Sequence, residues 1–373
     1  MIKGNLTLSS DLRRLGFVKV VVFLTHPSSF TNIEPLVARY KRTVLELREK
    51  AGWCLNPITG KKVSGKGIGK EGITSEKDVI ALNHVLLAQN LGFIRKSVYN
   101  WSEHGWHYSS LHTDERGLPL SLNPANRVSL MGGEQAKGLV ASFSKPEKLV
   151  FCNALFYADF DGIFPLLECL SSSTKTTSDL SNDYFLKVAS WYERKSKIEI
   201  NSEKRNFYLR EKAKLAKPGS YTRTHILEQI YPRLSFLKDV GFIDGNDEGY
   251  SLSSIAREFL SSFPYGDNSK IKSLLDEKGK ELVFSLSDVY SRGLGEISKE
   301  EFDKLFAKMS AFYRTIGLLF IPFESLFVSI SAAALGDSKS ISLPSYVEQL
   351  QRLVKQQGIA FSTTVPGRKY VKI

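Results

Sequence analysis

Residues 240–252 read VGFIDGNDEGYSL, and this stretch decides the fold that we expect. An amphipathic run ends at Gly241, and glycine closes helices because it adopts backbone conformations that other residues disfavour. The apolar strand Phe242-Ile243, a polar tip at Asp247-Glu248-Gly249 and a second strand, Tyr250-Ser251-Leu252, then follow. Two short strands around a glycine-containing tip are typical of a β-hairpin. The stretch therefore predicts a helix that leads directly into a two-stranded hairpin.

The same pattern occurs twice more along the chain. In the first copy, LGFI at 91–94 leads to a tip at 103–105 and to the return strand WHY at 106–108. In the last copy, QGIAF at 357–361 leads to a tip at 365–367 and to a return strand at 369–373. We therefore predict three helix–hairpin units in one chain.

These junctions resemble those of winged helix-turn-helix proteins, in which a hairpin, the wing, follows the recognition helix. The resemblance rests on Gly92-Phe93-Ile94 with Trp106-His107-Tyr108, and on Gly241-Phe242-Ile243 with Gly249-Tyr250-Ser251-Leu252. Successive units of this kind also resemble the recognition region of type IIS restriction enzymes and of some plasmid replication initiators. The resemblance implies that helices and wings face DNA. The nuclease part of those restriction enzymes has no visible counterpart in this sequence.

The rest of the chain is expected to be mostly helical. Phe17–Leu24 (FVKVVVFL) is a β-branched run that predicts a buried strand, and a capped helix with Pro35 in its first turn follows it. The fold class that we expect is α+β, mostly helical, with tandem winged helix-turn-helix domains and an N-terminal strand–helix element. The expected domains are residues 1–130, 134–263 and 269–373, with a linker at 263–268.

Composition favours a polyanionic partner. The 373 residues carry 51 lysines and arginines against 39 aspartates and glutamates, a formal net charge of +12. Such an excess favours nucleic acid first and an anionic membrane surface second. The apolar stretch 315–336 contains Pro322 and Glu324, and a central acid costs about 2.5–3.5 kcal/mol on insertion. We therefore expect two buried pieces there and no membrane partner.

Three cysteines, Cys54, Cys152 and Cys169, form no close pair. Their odd number argues against a disulfide framework and a zinc site, so we expect a cytoplasmic protein without a cofactor. The loop at 60–67 matches part of a phosphate-binding loop, but Gly67 stands where a serine or threonine would hold magnesium. Its lysines make better sense as a flexible arm on a DNA backbone.

The candidate DNA-binding side chains are polar or basic and are predicted to face outward. They are Lys61, Lys62, Lys66 and Lys70 in the arm, Lys77, Asn83, His84 and Gln89 on the first helix, Arg223, Thr224, Arg233, Ser235 and Lys238 around the second, and Arg352, Lys355, Gln356, Arg368 and Lys369 in the last unit. The basic segment 194–217 is either a further phosphate track or a solvated helix with internal ion pairs.

No catalytic motif stands out. Glu193-Arg194-Lys195 has the spacing of a nuclease triplet but falls in a predicted helix, and Asp159 and Asp161 fall in a predicted turn. We expect a non-catalytic double-stranded DNA-binding protein that serves, with partner subunits, as the recognition or loading subunit of a restriction, defence or mobile-element complex. The alternatives are a winged-helix scaffold that binds protein partners, and a metal-dependent nuclease with an unrecognised active site.

Overall fold

The described chain is mostly helical, with short antiparallel strands. The computed structural model describes residues 15–25, 31–51, 54–55, 62–63, 78–96, 100–119, 143–217, 221–246, 248–275, 280–357, 360–365 and 368–373. The α+β, mostly helical class predicted from the sequence is confirmed at this level.

The N-terminal segment begins with a helix where a strand was expected. Its elements are, in chain order, α1 (Gly16–Leu24), α2 (Ile33–Ala51), β1 (Cys54–Leu55), β2 (Lys62–Val63), α3 (Asp78–Asn90) and α4 (Glu103–Leu111). Every residue of α1 is buried, and the helix packs against α2 and α3. The predicted strand over Phe17–Leu24 is wrong because enclosure by helices overrides the weak strand preference of β-branched residues.

The first predicted hairpin is also wrong. Its return strand, residues 106–108, lies inside α4. Between the glycine turn and α4, the described residues form a single antiparallel bridge, between Ile94 and Trp101. Gly105 brings α4 so close to the preceding turn that a Cβ there would overlap the Phe93 carbonyl oxygen. Trp101 donates its indole hydrogen to the Val22 carbonyl oxygen at 2.8 Å, so this region is packed against α1.

The middle segment surrounds one long apolar helix. Its elements are α5 (Lys145–Leu170), α6 (Thr177–Ile198), α7 (Ser202–Ala216), α8 (Arg223–Asp239), β3 (Ile243–Asn246), β4 (Gly249–Leu252), α9 (Ser254–Ser262) and α10 (Asn268–Leu274). By length and composition α5 could cross a bilayer, but 94% of its most apolar window is buried inside the protein, as in a core helix. Strands β3 and β4 pair antiparallel from Ile243↔Leu252 to Asn246↔Gly249, so the hairpin predicted from VGFIDGNDEGYSL is confirmed.

The C-terminal segment contains a three-stranded antiparallel sheet. Its elements are α11 (Lys280–Ser291), α12 (Lys299–Thr315), β5 (Phe320–Pro322), α13 (Phe323–Gly336), α14 (Leu343–Gln357), β6 (Ala360–Val365) and β7 (Arg368–Lys372). The strand order is β5-β7-β6, and the last predicted hairpin is confirmed as β6–β7. The stretch 315–336 is broken at Pro322 into a strand and a buried helix, so the predicted division is confirmed. The expected burial is right for the helix and wrong for much of the first piece, where Leu319 and Phe320 are 55% and 46% exposed.

Three helices end in the same glycine turn. Gly92, Gly241 and Gly317 adopt φ values of +73°, +79° and +79°. In each case the residue after the glycine donates to the carbonyl oxygen five residues earlier, at 2.8 Å. This is the hydrogen bond of a Schellman motif, and it turns the chain sharply out of the helix.

A continuous cluster of buried apolar side chains links all three segments. Helix α5 packs against α6, α13, α4 and α11 and so joins the middle segment to both others. The expected linker at 263–268 is wrong at its first residue, because Phe263 is 5% exposed and its ring centroid lies 4.3 Å from that of Phe164. Aromatic packing therefore places Phe263 in the core.

Candidate nucleic-acid interface

The middle and C-terminal segments repeat one arrangement around their hairpins. In the C-terminal segment, β5 lies between α12 and α13 in sequence and pairs with β7, the second strand of the hairpin. In the middle segment, Lys175 lies between α5 and α6 and forms an antiparallel bridge with Tyr250 in β4. The helix before each hairpin is α14 or α8, and these two helices differ in what they expose.

Helix α14 has one buried face and one open polar face. Tyr346, Leu350 and Leu353 are at most 1% exposed. The exposed positions recur about one turn apart along the opposite side and are Pro344, Glu348, Gln351 and Lys355; Gln356 is exposed beside them. The Tyr346 hydroxyl donates to the Phe323 carbonyl oxygen at 3.1 Å, which fixes the helix on α13. The outward positions predicted for Lys355 and Gln356 are therefore confirmed.

Arg352 holds α14 against α12. It forms an ion pair with Asp303, and its Nε and Nη1 donate to Gln349 and Gln356 at 3.0 Å each. The side chain is only 18% exposed. Its guanidinium is therefore paired within the protein, and the outward position predicted for Arg352 is wrong.

The β6–β7 hairpin adds exposed cations to this segment. Lys369 and Lys372 are exposed on β7, while Val371 between them is fully buried. Arg368 is placed in β7, but its side chain lies outside the described residues. Residues 299–373 contain ten lysines and arginines against six aspartates and glutamates, so the segment has a net positive charge.

Helix α8 is exposed only in its first two turns, up to Glu228. Arg223 and Thr224 are exposed there, and Arg223 donates to the Ser178 hydroxyl at 3.0 Å. The helix is then buried continuously over residues 232–237. Lys238 lies at the boundary and donates to the Gly245 carbonyl oxygen at 2.7 Å, so it ties the hairpin to α8.

Arg233 and Ser235 were expected to face outward, and this is wrong. Arg233 is 2% exposed and Ser235 is fully buried, because α8 packs against α5, α6 and β3. The Arg233 Nε and Nη2 donate to the two carboxylate oxygens of Asp159 at 2.7 and 3.0 Å, and Nη1 donates to the Gln229 carbonyl oxygen at 2.8 Å. Burial lowers the pKa of Arg233, but the attraction of the Asp159 carboxylate outweighs burial, so the pKa of Arg233 is raised.

This buried ionic network was missed by the sequence analysis. Asp159 interrupts α5 with φ −141° and ψ 37°, and a Cβ at Gly162 would overlap the Arg233 guanidinium. Asp161 accepts from Lys195 Nζ at 2.8 Å and from the Trp191 indole at 2.7 Å. Two aspartates and a glycine inside an apolar run were the available signal, since buried carboxylates need buried cations. The network fastens α5, α6 and α8 together.

Helix α3 also hides residues that were expected to face DNA. His84 is fully buried, with its ring centroid 5.0 Å from that of Phe17, and Gln89 is 7% exposed. The predicted outward positions of these two residues are wrong because α1 covers this face of α3; Asn83 is half-buried. The other candidates of this region, Lys61, Lys66, Lys70 and Lys77, and the side chain of Lys62, lie outside the described residues.

The histidines of α4 belong to the interior. His107 is 2% exposed, and burial lowers its pKa to about 3, so it is neutral at ordinary pH. In the described parts of the chain, no group of three or more histidine, cysteine or acidic side chains could hold a metal ion. The chain matches no protein-family model, no curated protein and no solved structure. Function therefore has to be inferred from the geometry of the chain itself.

Proposed function

We propose that the protein binds double-stranded DNA through residues 299–373, with α14 in the major groove and the β6–β7 hairpin beside it. The observation that carries the proposal is the order α12, β5, α13, α14 and hairpin, with the sheet order β5-β7-β6, which resembles a winged helix-turn-helix unit. In such units the helix before the wing presents its polar face to base edges. The open face of α14 supports this role.

The chemistry of the exposed face suits a duplex. Lys355 and Lys369 can each neutralise a phosphate, which releases counterions and makes binding dependent on salt. Gln351 and Glu348 lie on the same stripe, and these residue types pair with adenine and cytosine in the major groove. A role as the recognition or loading subunit of a larger complex is part of the same proposal.

For the middle segment, a second candidate function, binding of a protein partner, is favoured over duplex binding. Its hairpin exposes Asp244 and Glu248, and acidic side chains repel phosphates. The buried second half of α8 also removes the polar face that base reading requires. We therefore assign DNA contact to the C-terminal segment and a scaffold role to the middle one.

The test is a titration of a labelled random duplex at several salt concentrations. The wild type should bind more weakly as salt rises, and Lys355→Ala and Lys369→Ala should each lower the slope of log K against log salt by about 1. Lys270→Ala is the matched control, because Lys270 is exposed on α10, outside the proposed interface. Salt-independent binding by the wild type, or an equal loss in Lys270→Ala, would contradict the proposal.

A further inference from the structure

A groove lies on the flank of the C-terminal segment between α12, the end of α14 and the start of β6. Its volume is about 480 Å³, within the range of pockets that hold ligands or anchoring side chains. Phe306, Ala311 and Leu353 line it with apolar surface. Leu353 is on the buried side of α14, whereas Gln351 and Lys355 are on the exposed side. The groove is therefore separate from the proposed DNA-binding face.

Two cations border this groove. Arg314 at the end of α12 and Lys372 at the end of β7 are both exposed and both line it. The acid that lines it, Asp303, is already paired with Arg352. The groove therefore combines an apolar interior with a net positive rim.

Ser310 supplies a polar group inside the groove. The residue is 5% exposed, and its hydroxyl has no hydrogen-bond partner among the described residues. A buried hydroxyl without a hydrogen bond is unfavourable, so a ligand that bonds to it is stabilised. Serine hydroxyls both donate and accept, and a carbonyl or carboxylate oxygen is a suitable partner.

Apolar surface continues from the groove onto the neighbouring strand. Leu319 and Phe320 are 55% and 46% exposed. Phe320 lies opposite Lys372 in the register of β5 and β7, and the Lys372 Nζ is 6.0 Å from its ring centroid. The apolar surface thus extends beyond the cavity, and an occupant of extended shape would cover more of it than a compact small molecule.

We infer that this groove binds an acidic segment of a partner protein. One apolar side chain of the segment enters the cavity between Phe306 and Leu353. Carboxylates on either side of it pair with Arg314 and Lys372, and a polar atom of the segment bonds to the Ser310 hydroxyl. An apolar anchor in a pocket with charged neighbours is the usual centre of a protein interface. The inference does not depend on DNA binding, since Phe306, Ser310 and Arg314 lie on α12, outside the proposed DNA-binding face.

The test uses the full chain and two fluorescein-labelled amphipathic peptides. The first has leucines on one helical face flanked by glutamates, and the second has lysine in place of every glutamate. The glutamate peptide should bind, and the lysine peptide should not. Arg314→Glu and Lys372→Glu should each lower the affinity for the glutamate peptide by about tenfold or more, since like charges repel each other across the interface. Lys355→Glu is the matched control and should leave peptide binding unchanged.

Each other outcome overturns the inference. No binding of the glutamate peptide, equal binding of both peptides, or an unchanged Arg314→Glu variant would exclude an acidic partner. If the wild type forms concentration-dependent dimers and Arg314→Glu does not, the groove binds a second copy of this chain instead. Duplex titration of the same variants distinguishes the two proposals. Lys355→Glu should lose duplex affinity, and Arg314→Glu should retain it.

Discussion

Replacing Arg233 with methionine should destabilise the protein strongly without removing a DNA contact. Methionine keeps most of the apolar stem but leaves the fully buried Asp159 carboxylate without its two hydrogen bonds. Removing one partner of a buried ion pair costs about 3–5 kcal/mol, because the remaining charge stays buried without its counter-ion. The side chains of both residues are at most 2% exposed, so solvent cannot compensate.

The assay is urea unfolding monitored by circular dichroism, with Arg223→Met as the control. Arg223 is exposed at the start of the same helix, so its variant should change the free energy of unfolding by no more than about 0.5 kcal/mol. The double variant Asp159→Leu/Arg233→Met should recover most of the loss, since apolar replacement of a whole buried pair is often neutral. The coupling between the two positions is then the difference between the double variant and the sum of the singles.

Two results would refute this reasoning. If Arg233→Met costs no more than Arg223→Met, the ion pair does not hold α8 on α5. If the losses in the double variant simply add, the two side chains act independently. A folded Arg233→Met protein should also bind a duplex as the wild type does, and a selective loss of duplex affinity would return Arg233 to the interface.

Two further predictions concern acid stability and the glycine turns. Burial raises the pKa of Glu147, but His112 and Lys19 outweigh it and hold the pKa at about 2, below the ordinary 4.5. The stabilisation from ionised Glu147, about 3 kcal/mol, is therefore present above pH 4.5 and lost as the pH falls toward 2. In Glu147→Gln, the urea midpoint of unfolding should fall less between these pH values than in the wild type. Parallel plots of urea midpoint against pH for the two proteins would contradict this. Gly117→Ala should lower the melting temperature more than Gly317→Ala, because φ is near +80° at both but a Cβ at Gly117 would overlap a backbone carbonyl of α12 while Gly317 has open space. Equal losses would exclude this contact.

Local turn residues predicted two of the three hairpins correctly, β3–β4 and β6–β7. Gly249 follows the polar tip of β3–β4, and Pro366-Gly367 separates β6 from β7. The first copy has a similar tip that ends in Gly105, but this glycine packs against the Phe93 carbonyl group, and the expected return strand lies inside α4. Apolar composition alone does not separate a buried strand from a buried helix, which is why residues 17–24 were assigned wrongly. Lys19 in that run pairs with Glu147 at 2.9 Å, a contact that no local pattern reveals.

Outward positions were predicted well only where a helix has one covered side. Tyr346, Leu350 and Leu353 mark a single apolar face on α14, so its outward positions follow from the helical period. Helix α8 is covered by α5, α6 and β3 at once. Its polar residues Arg233 and Ser235 therefore enter the core, and only the long-range partner Asp159 makes this tolerable.

The placement of charge distinguishes the C-terminal hairpin segment from the middle one. Residues 145–298, which comprise the middle segment and α11, contain 22 basic and 22 acidic side chains, so this stretch contributes nothing to the net charge of +12. Its cations at Lys175, Arg194, Lys195 and Arg233 are already paired with acids of the same segment. Counterion release requires cations that meet phosphates instead of internal carboxylates. Two segments can thus share a hairpin arrangement while only the one with exposed, uncompensated lysines is suited to a duplex.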